Sequence, residues 1–436
     1  MSQTITFKVL PGGSLRGEIR VPGDKSMSHR SIMLGSLAEG VTHVKGFLNA
    51  EDAMSTLEAF RAMGVKIEGP NHGEVVIHGV GKHGLQAPAA PLYLGNSGTS
   101  MRLLSGLLAG QPFDSILTGD KSLESRPMRR VTEPLATMGA EIVTQENGTA
   151  PLHIKGKSDL KGINYVMPIA SAQVKSCLLL AGMYASGETS ITEPAPTRDH
   201  TERMLSGFGY PLKREGSTAT ITNAGKLTAT QIDVPSDISS AAFFLVGASI
   251  APDSDVTLKH VGINPTRTGV IDILRLMGAN IEVFNESSVG GEPVADIRVR
   301  SSKLKGINIP EHLVPLAIDE FPVLFVAAAC AEGQTILTGA KELRVKESDR
   351  IQVMADGLKI LGVDAQPTED GMVIQAGPIG GGEVESHGDH RIAMSFSIAG
   401  LRANSTITIK DCANVNTSFP EFRQLATQLG LSLSCI

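Results

Sequence analysis

Along the chain one arrangement of polar and apolar positions returns six times: a polar stretch rich in Gly or Ser, about a dozen small apolar residues, then Gly and a short β-branched run. The copies open at Asp24 with DKSMSHRSIMLGSLAEGVTHVKGF, at Asn96 with NSGTSMRLLSGLLAGQPFDSILTG and at Ser171 with SAQVKSCLLLAGMYASGETSITEP. Three more open at Ser236 with SDISSAAFFLVGASIAPDSDVTLKHV, at Asp319 with DEFPVLFVAAACAEGQTILTGA and at Asp389 with DHRIAMSFSIAGLRANSTITIKD. Between them a second pattern recurs, an amphipathic helix that closes on an apolar residue plus Gly and leads into a strand. It reads DAMSTLEAFRAMGVKIE, MRRVTEPLATMGAEIV, ERMLSGFGYPLK, GVIDILRLMGANIEV, RIQVMADGLKILGVDAQ and FPEFRQLATQLGLSLS, with the Gly as helix C-cap. A period of about 70–80 residues exceeds the roughly 20–50 of a solenoid repeat, so the unit is a small α/β subdomain used six times.

The first helix of each unit is apolar nearly all round, as in LLSGLLAG or FPVLFVAAACA, which predicts burial on every side; the second carries a polar face and belongs outside. Six units divide three and three into two similar halves. The chemically distinctive residues gather at the polar starts of the buried helices: Lys25, Ser26 and Arg30, Asn96 to Arg102, Ser171 to Lys175, Asp319, and Asp389 to Arg391. Helix N-termini present unpaired N–H groups and the positive end of the dipole, so several converging on one cleft between the halves would form an anion site.

A length of 436 residues fits two or three domains at about 100–200 residues each. The net charge of −6 lacks the broad basic excess that attracts nucleic acid, so any phosphate chemistry has to come from locally placed cations. No apolar run approaches the roughly 18 residues of a membrane span, and the start has no secretory pattern, which makes a cytoplasmic protein without membrane or nucleic-acid partners the expectation. Cys177, Cys330, Cys412 and Cys435 form no CxxC pair and read as buried free thiols rather than a zinc site or disulfide framework. HGDHR has two histidines but no third ligand at a metal spacing, and neither GxxxxGK[ST] nor GxGxxG occurs.

At GDKSMSHR, GNSGTSMR, SAQVKS, RDHTE, NPTR, RVKESDR and GDHRIAMSF the sequence resembles the 5-enolpyruvylshikimate-3-phosphate synthase family, 3-phosphoshikimate 1-carboxyvinyltransferases, and its class II branch in particular. The resemblance spans essentially the whole chain. It implies an α/β fold of two inside-out, barrel-like domains, each of three βαβαββ units, with the active site in the inter-domain cleft. Residues 1–23 with 236–436 would form a discontinuous domain and 24–235 an inserted one. The implied reaction moves the enolpyruvyl group of phosphoenolpyruvate to the 5-hydroxyl of 3-phosphoshikimate and releases phosphate, with no metal or organic cofactor. A monomer, inhibition by glyphosate and compaction on binding are further implications. Gly98 stands where tolerant class II members carry Ala, and Thr417 where class I members carry Lys.

Both substrates are small polyanions, so a cluster of cations is obligatory, and Arg suits it through its planar, permanently charged fork. The resemblance assigns Lys25, Gly98, Arg126, Gln173, Arg350 and Arg391 to phosphoenolpyruvate, with Gly98 offering a backbone N–H. It assigns Lys25, Ser26, Arg30, Ser171, Gln173, Arg198, Asp319 and Lys346 to 3-phosphoshikimate. Asp319 and Glu347, beside Lys25, are the expected catalytic groups, handling the proton delivered to the methylene carbon and the one removed from the hydroxyl. Read alone, RVKESDR and SRPMRRV would be solvated charge runs, and Lys175 and Arg267 could serve packing. An enolpyruvyl transferase for UDP-N-acetylglucosamine shares the fold but carries a Cys in a mobile loop, which the stretch around SLESRPMRRV lacks; a non-catalytic anion-binding protein is the other alternative.

Overall fold

The computed structural model describes residues 5–156 and 159–436, which form two compact units. The inserted unit holds Gly23–Val234 together with Ser288–Glu292; the terminal unit holds the chain up to Pro22, Pro235–Ser287 and Pro293–Ile436. Ser288–Glu292 is the turn joining strands Asn280–Val289 and Glu292–Arg300, and no sequence pattern marks it as grouping with the inserted unit.

In the inserted unit the helices are α1 (Lys25–Leu37), α2 (Glu51–Ala62), α3 (Gly98–Ala109), α4 (Lys121–Glu124), α5 (Arg129–Thr137), α6 (Ala172–Gly182) and α7 (His200–Gly207). The terminal unit contributes α8 (Ile238–Ile250), α9 (Gly269–Leu276), α10 (Phe321–Cys330), α11 (Arg350–Ile360), α12 (His390–Ala399) and α13 (Phe422–Leu429). Helices α1, α3 and α6 form the centre of one unit and α8, α10 and α12 that of the other, each buried along nearly its full length. This is what their all-round apolar sequences require. Small residues permit the close approach: a Cβ on Gly106 of α3 would stand 2.0 Å from the carbonyl oxygen of Cys177 on α6. The amphipathic helices lie outside, and the glycines that follow them (Gly64, Gly139, Gly209, Gly278, Gly362 and Gly430) all adopt positive φ, the left-handed conformation that ends a helix cheaply only at Gly.

Among the described residues six small sheets complete the repeats, three per unit. Strands Gln231–Asp233 and Glu39–Lys45 run parallel, with Ile232 opposite Val44, and Glu74–Val80 and Lys66–Asn71 continue antiparallel. The same plan, one parallel pair followed by antiparallel neighbours, recurs with Leu92–Tyr93 beside Ser115–Thr118 and with Asn164–Val166 beside Glu188–Thr192. In the terminal unit it recurs with Arg16–Ile19 beside Asp255–Gly262 and with Gly382–Glu385 beside Ile407–Lys410. The last sheet has three strands, and its parallel partner shrinks to single bridges from Lys305 to Glu332 and from Asn308 to Ile336.

The cysteine expectation needs correcting. Cys177 and Cys412 are buried and Cys330 partly so, but Cys435 is exposed because it lies on Leu433–Cys435, at the end of a sheet. Burial pushes the thiols of Cys330 and Cys412 up to about 12, so both are protonated and unreactive at neutral pH. Among the described residues, no helix is long and apolar enough to cross a membrane.

Candidate active site

Five of the six buried helices start on a side chain that caps a backbone N–H: Asp24, Ser97, Ser171, Asp237 and Asp389. The exception is α10, which follows Glu320 without a side-chain cap. Lys25, Ser26, Arg30, Gly98, Ser171, Gln173, Asp319 and Arg391 sit at or beside these starts, whereas Arg126, Arg198, Lys346, Glu347 and Arg350 lie just before or at the start of the outer helices α5, α7 and α11, and each unit gathers its own set.

In the terminal unit the centre is Arg350, first residue of α11 and only 1% exposed. Its Nε donates to Asp389 Oδ2 at 2.8 Å, its Nη2 to Glu347 Oε2 at 2.7 Å and its Nη1 to Asp319 Oδ1 at 3.3 Å. Lys346 Nζ stands 3.6 Å from the same Asp319 oxygen. RVKESDR is therefore not a solvated charge run, because its last arginine is buried among three carboxylates. Burial works against the Arg350 charge, but those carboxylates outweigh it and raise the guanidinium well above its ordinary range. Burial likewise opposes ionisation of Asp389, and the Arg350 guanidinium more than offsets it, leaving the carboxyl below the usual range. Arg391, on the first turn of α12, has its Nη1 4.0 Å from Glu320 Oε1. Thr417 turns its hydroxyl onto the carbonyl of Asn414, so at that position the chain supplies neither a cation nor a free donor.

The inserted unit has a more distributed arrangement. Lys25 Nζ pairs with Asp52 Oδ2 at 2.9 Å. Arg126 Nη2 donates to Asn96 Oδ1 at 2.6 Å, and Asn96 in turn donates to Asp120 at 2.8 Å. Gln173 accepts from Arg102 Nη1 at 2.6 Å and donates to Thr99 Oγ1 at 3.2 Å, which ties α6 to α3. Arg30 is spread over three partners: Nε to Thr201 Oγ1 at 2.7 Å, Nη1 to the Ser26 carbonyl at 2.9 Å and Nη2 to Ser176 Oγ at 3.0 Å. Burial lowers it to about 10; Glu202 and Asp24 pull it back up, while the Arg198 charge pushes further down. It stays charged at neutral pH. His29, behind it, is brought down to about 3, chiefly by burial and then by Lys25 and Arg30, and serves as a neutral hydrogen-bonding ring 2.7 Å from Thr56 Oγ1.

One expectation changes in the light of these distances. The Gly98 N–H donates to the Asn96 carbonyl at 3.1 Å, so here it is not presented as a free donor. What Gly98 contributes is the missing Cβ, which would stand 3.1 Å from both Arg102 Nη1 and Arg126 Nη1. We expect Gly98→Ala to displace these two flexible guanidinium ends and weaken binding of an anionic ligand beside them severalfold, leaving the melting temperature near wild type; ligand titration and thermal unfolding of the variant check this. Lys175 proves structural: it is 1% exposed and ion-paired with Glu193 at 3.0 Å and Glu202 at 2.7 Å. Sequence reasoning misses Asp52 and Asp389 as holders of Lys25 and Arg350. Asp389 is visible there only as a helix start, and Asp52, in the first turn of α2, gives no signal at all. Among the described residues no group of three or more His, Cys, Asp and Glu is placed to hold a metal.

Comparison with known proteins gives a consistent result. The family model described as EPSP synthase (3-phosphoshikimate 1-carboxyvinyltransferase) matches residues 9–425. The 3-phosphoshikimate 1-carboxyvinyltransferase of Methylococcus capsulatus is 71% identical, over 98% of each chain, and that of Hydrogenovibrio crunogenus is 66% identical, over 100% of each. A solved structure of EPSP synthase from Acinetobacter baumannii superposes with a TM-score of 0.91 at 63% identity, covering 99% of this chain and 100% of that one.

Proposed function

Because this chain belongs to the EPSP synthase family, it transfers the enolpyruvyl group of phosphoenolpyruvate to 3-phosphoshikimate in aromatic biosynthesis, and we propose that the two clusters divide that reaction between them. The observation that carries this division is the buried Arg350, which holds Asp319 and Glu347 as well as the wholly buried Asp389 on its guanidinium, since it sets two carboxylates able to carry protons beside a cation that suits a substrate carboxylate. The carboxylate of phosphoenolpyruvate competes for Arg350 and takes Arg391 as a further partner, and Arg126 and Lys25 of the inserted unit are assigned to the same substrate. The phosphate of 3-phosphoshikimate falls to Ser26, Arg30, Ser171 and Arg198, with Gln173 and Lys346 on the ring oxygens.

Asp319 then accepts the proton of the 5-hydroxyl as its oxygen attacks C2 of phosphoenolpyruvate, and Glu347 delivers a proton to C3. In the free protein Glu347 accepts from Arg350, so it becomes a donor only after the substrate carboxylate has taken over that contact and Glu347 has taken up a proton from solvent. Addition gives a tetrahedral ketal phosphate. Loss of a C3 proton and cleavage of the C2–O bond to phosphorus restore the double bond and release phosphate, with the two carboxylates acting in reverse. Glyphosate, carrying a carboxylate and a phosphonate, meets the same cations and should inhibit in competition with phosphoenolpyruvate.

The test is phosphate release from phosphoenolpyruvate with either 3-phosphoshikimate or UDP-N-acetylglucosamine as acceptor and no added metal. Turnover with 3-phosphoshikimate alone is expected; turnover with the sugar nucleotide, or binding of both substrates without release, would contradict the assignment.

A further inference from the structure

Asp319 and Glu320 are adjacent acidic residues whose side chains part. Asp319 faces Lys346 and Arg350, whereas Glu320 is 2% exposed and enters a separate polar cluster at the starts of α8 and α10. There the Ser239 hydroxyl donates to Glu320 Oε1, and Arg267 Nη2 donates both to Ser239 Oγ at 2.6 Å and to Asp237 Oδ1 at 2.9 Å. Arg267 is thus committed to Asp237 and reaches Glu320 only through the serine. The second carboxylate oxygen of Glu320, Oε2, is buried without a hydrogen-bond partner. A carboxylate so buried requires a compensating cation or it destabilises the fold. Among the described residues the cation paired with it is Arg391, whose Nη1 stands 4.0 Å from Oε1.

We propose that Glu320, fixed by Ser239 and Arg267, is a positioning residue for Arg391, holding that guanidinium where it meets the carboxylate of phosphoenolpyruvate. The NPTR and AIDEFP motifs then act as one relay, in which Arg267 orients Ser239, Ser239 fixes the rotamer of Glu320, and Glu320 draws in Arg391. Arg391 rises from the first turn of α12 on a long, flexible stem, and a fixed anion behind it removes rotamer freedom before the substrate arrives. Glu320 touches no reacting atom in this scheme. Its effect should therefore appear in the affinity for one substrate and leave the chemical step and the other substrate nearly unchanged.

The proposal rests on the reading that Arg391 binds phosphoenolpyruvate, so the experiment carries Arg391→Lys beside Glu320→Gln, Ser239→Ala and the Arg391→Lys/Glu320→Gln pair. Steady-state kinetics are measured with each substrate varied in turn. Losing a charge-assisted contact should raise the KM for phosphoenolpyruvate about tenfold in Glu320→Gln, with kcat and the KM for 3-phosphoshikimate within about threefold of wild type. Ser239→Ala should move the same constant by a smaller factor, and it decides the matter if the buried Gln fails to fold. In the Arg391→Lys background, Glu320→Gln should add almost nothing, since the group it orients is gone. An increase with Arg391→Lys but none with Glu320→Gln or Ser239→Ala overturns the proposal and leaves the reading of Arg391 intact. No increase with Arg391→Lys overturns both.

Discussion

Replacing Asp319 with Asn, or Glu347 with Gln, should lower kcat by ~10²–10⁴-fold while the affinities for both substrates stay within a few-fold of wild type. Both substitutions keep the shape of the side chain and remove its capacity to carry a proton. Each carboxylate touches Arg350, and the two contacts differ in length, 3.3 Å to Asp319 and 2.7 Å to Glu347. The looser contact leaves Asp319 nearer to release as a base. The tighter one makes Glu347 dependent on the substrate carboxylate to free it. Rapid-quench single turnovers should therefore show slowed formation of the ketal phosphate in both variants. If both variants retain near-normal turnover, the acid and base assignment is wrong.

The second large effect is on stability. Arg350 is the shared partner of three carboxylates, and Asp389, wholly buried, depends on it most directly through the 2.8 Å contact at Nε. Arg350→Met would leave Asp389 buried with its strongest cationic partner gone, a change that typically costs about 3–5 kcal/mol. For a unit of this size that corresponds to a fall in melting temperature on the order of 10 °C. The pH dependence has a definite sign. The Asp389 carboxyl titrates below its unfolded value in the native protein, so its stabilisation is present above the ordinary Asp range and is lost as the pH falls through the native value. Wild type should thus lose stability below about pH 4, near the unfolded Asp value. In Arg350→Met, protonation relieves the orphaned acid, so the gap between the two melting curves should narrow on going from pH 7 toward pH 3. A gap independent of pH would mean that the loss is one of packing rather than of charge.

The architecture was legible because it is written locally. Each buried helix declares itself by an apolar run behind a polar start, and each outer helix by its periodicity and a terminal Gly, which is why all six glycines predicted as C-caps adopt positive φ. The sheet plan follows the same repeat, down to the one place where a parallel strand shrinks to bridges. What stayed hidden depends on contacts far apart in sequence. Asp52 lies 27 residues from Lys25, Asp389 lies 39 from Arg350, and Ser239 lies 81 from Glu320. Such pairs leave no periodic trace. An acidic residue at a helix start reads as a cap whether or not it also clamps a distant arginine, and Asp389 does both. Gly98 shows the converse: its identity pointed to backbone contact with a ligand, whereas its N–H turns to Asn96 and its lack of a side chain makes room for two guanidinium groups.

Proton transfer at C3 of phosphoenolpyruvate is the step on which the two carboxylates depend, and solvent isotope reports it directly. The wild-type enzyme should be run to partial conversion in deuterium oxide with both substrates, and the enolpyruvyl methylene of the product examined by mass spectrometry and NMR. Addition makes C3 a methyl group that gains one solvent deuteron and then loses one of its three hydrogens, so deuterium in the product methylene is the expected result. A product free of deuterium would show that C3 is never protonated from an exchangeable group, contradicting the roles given to Asp319 and Glu347.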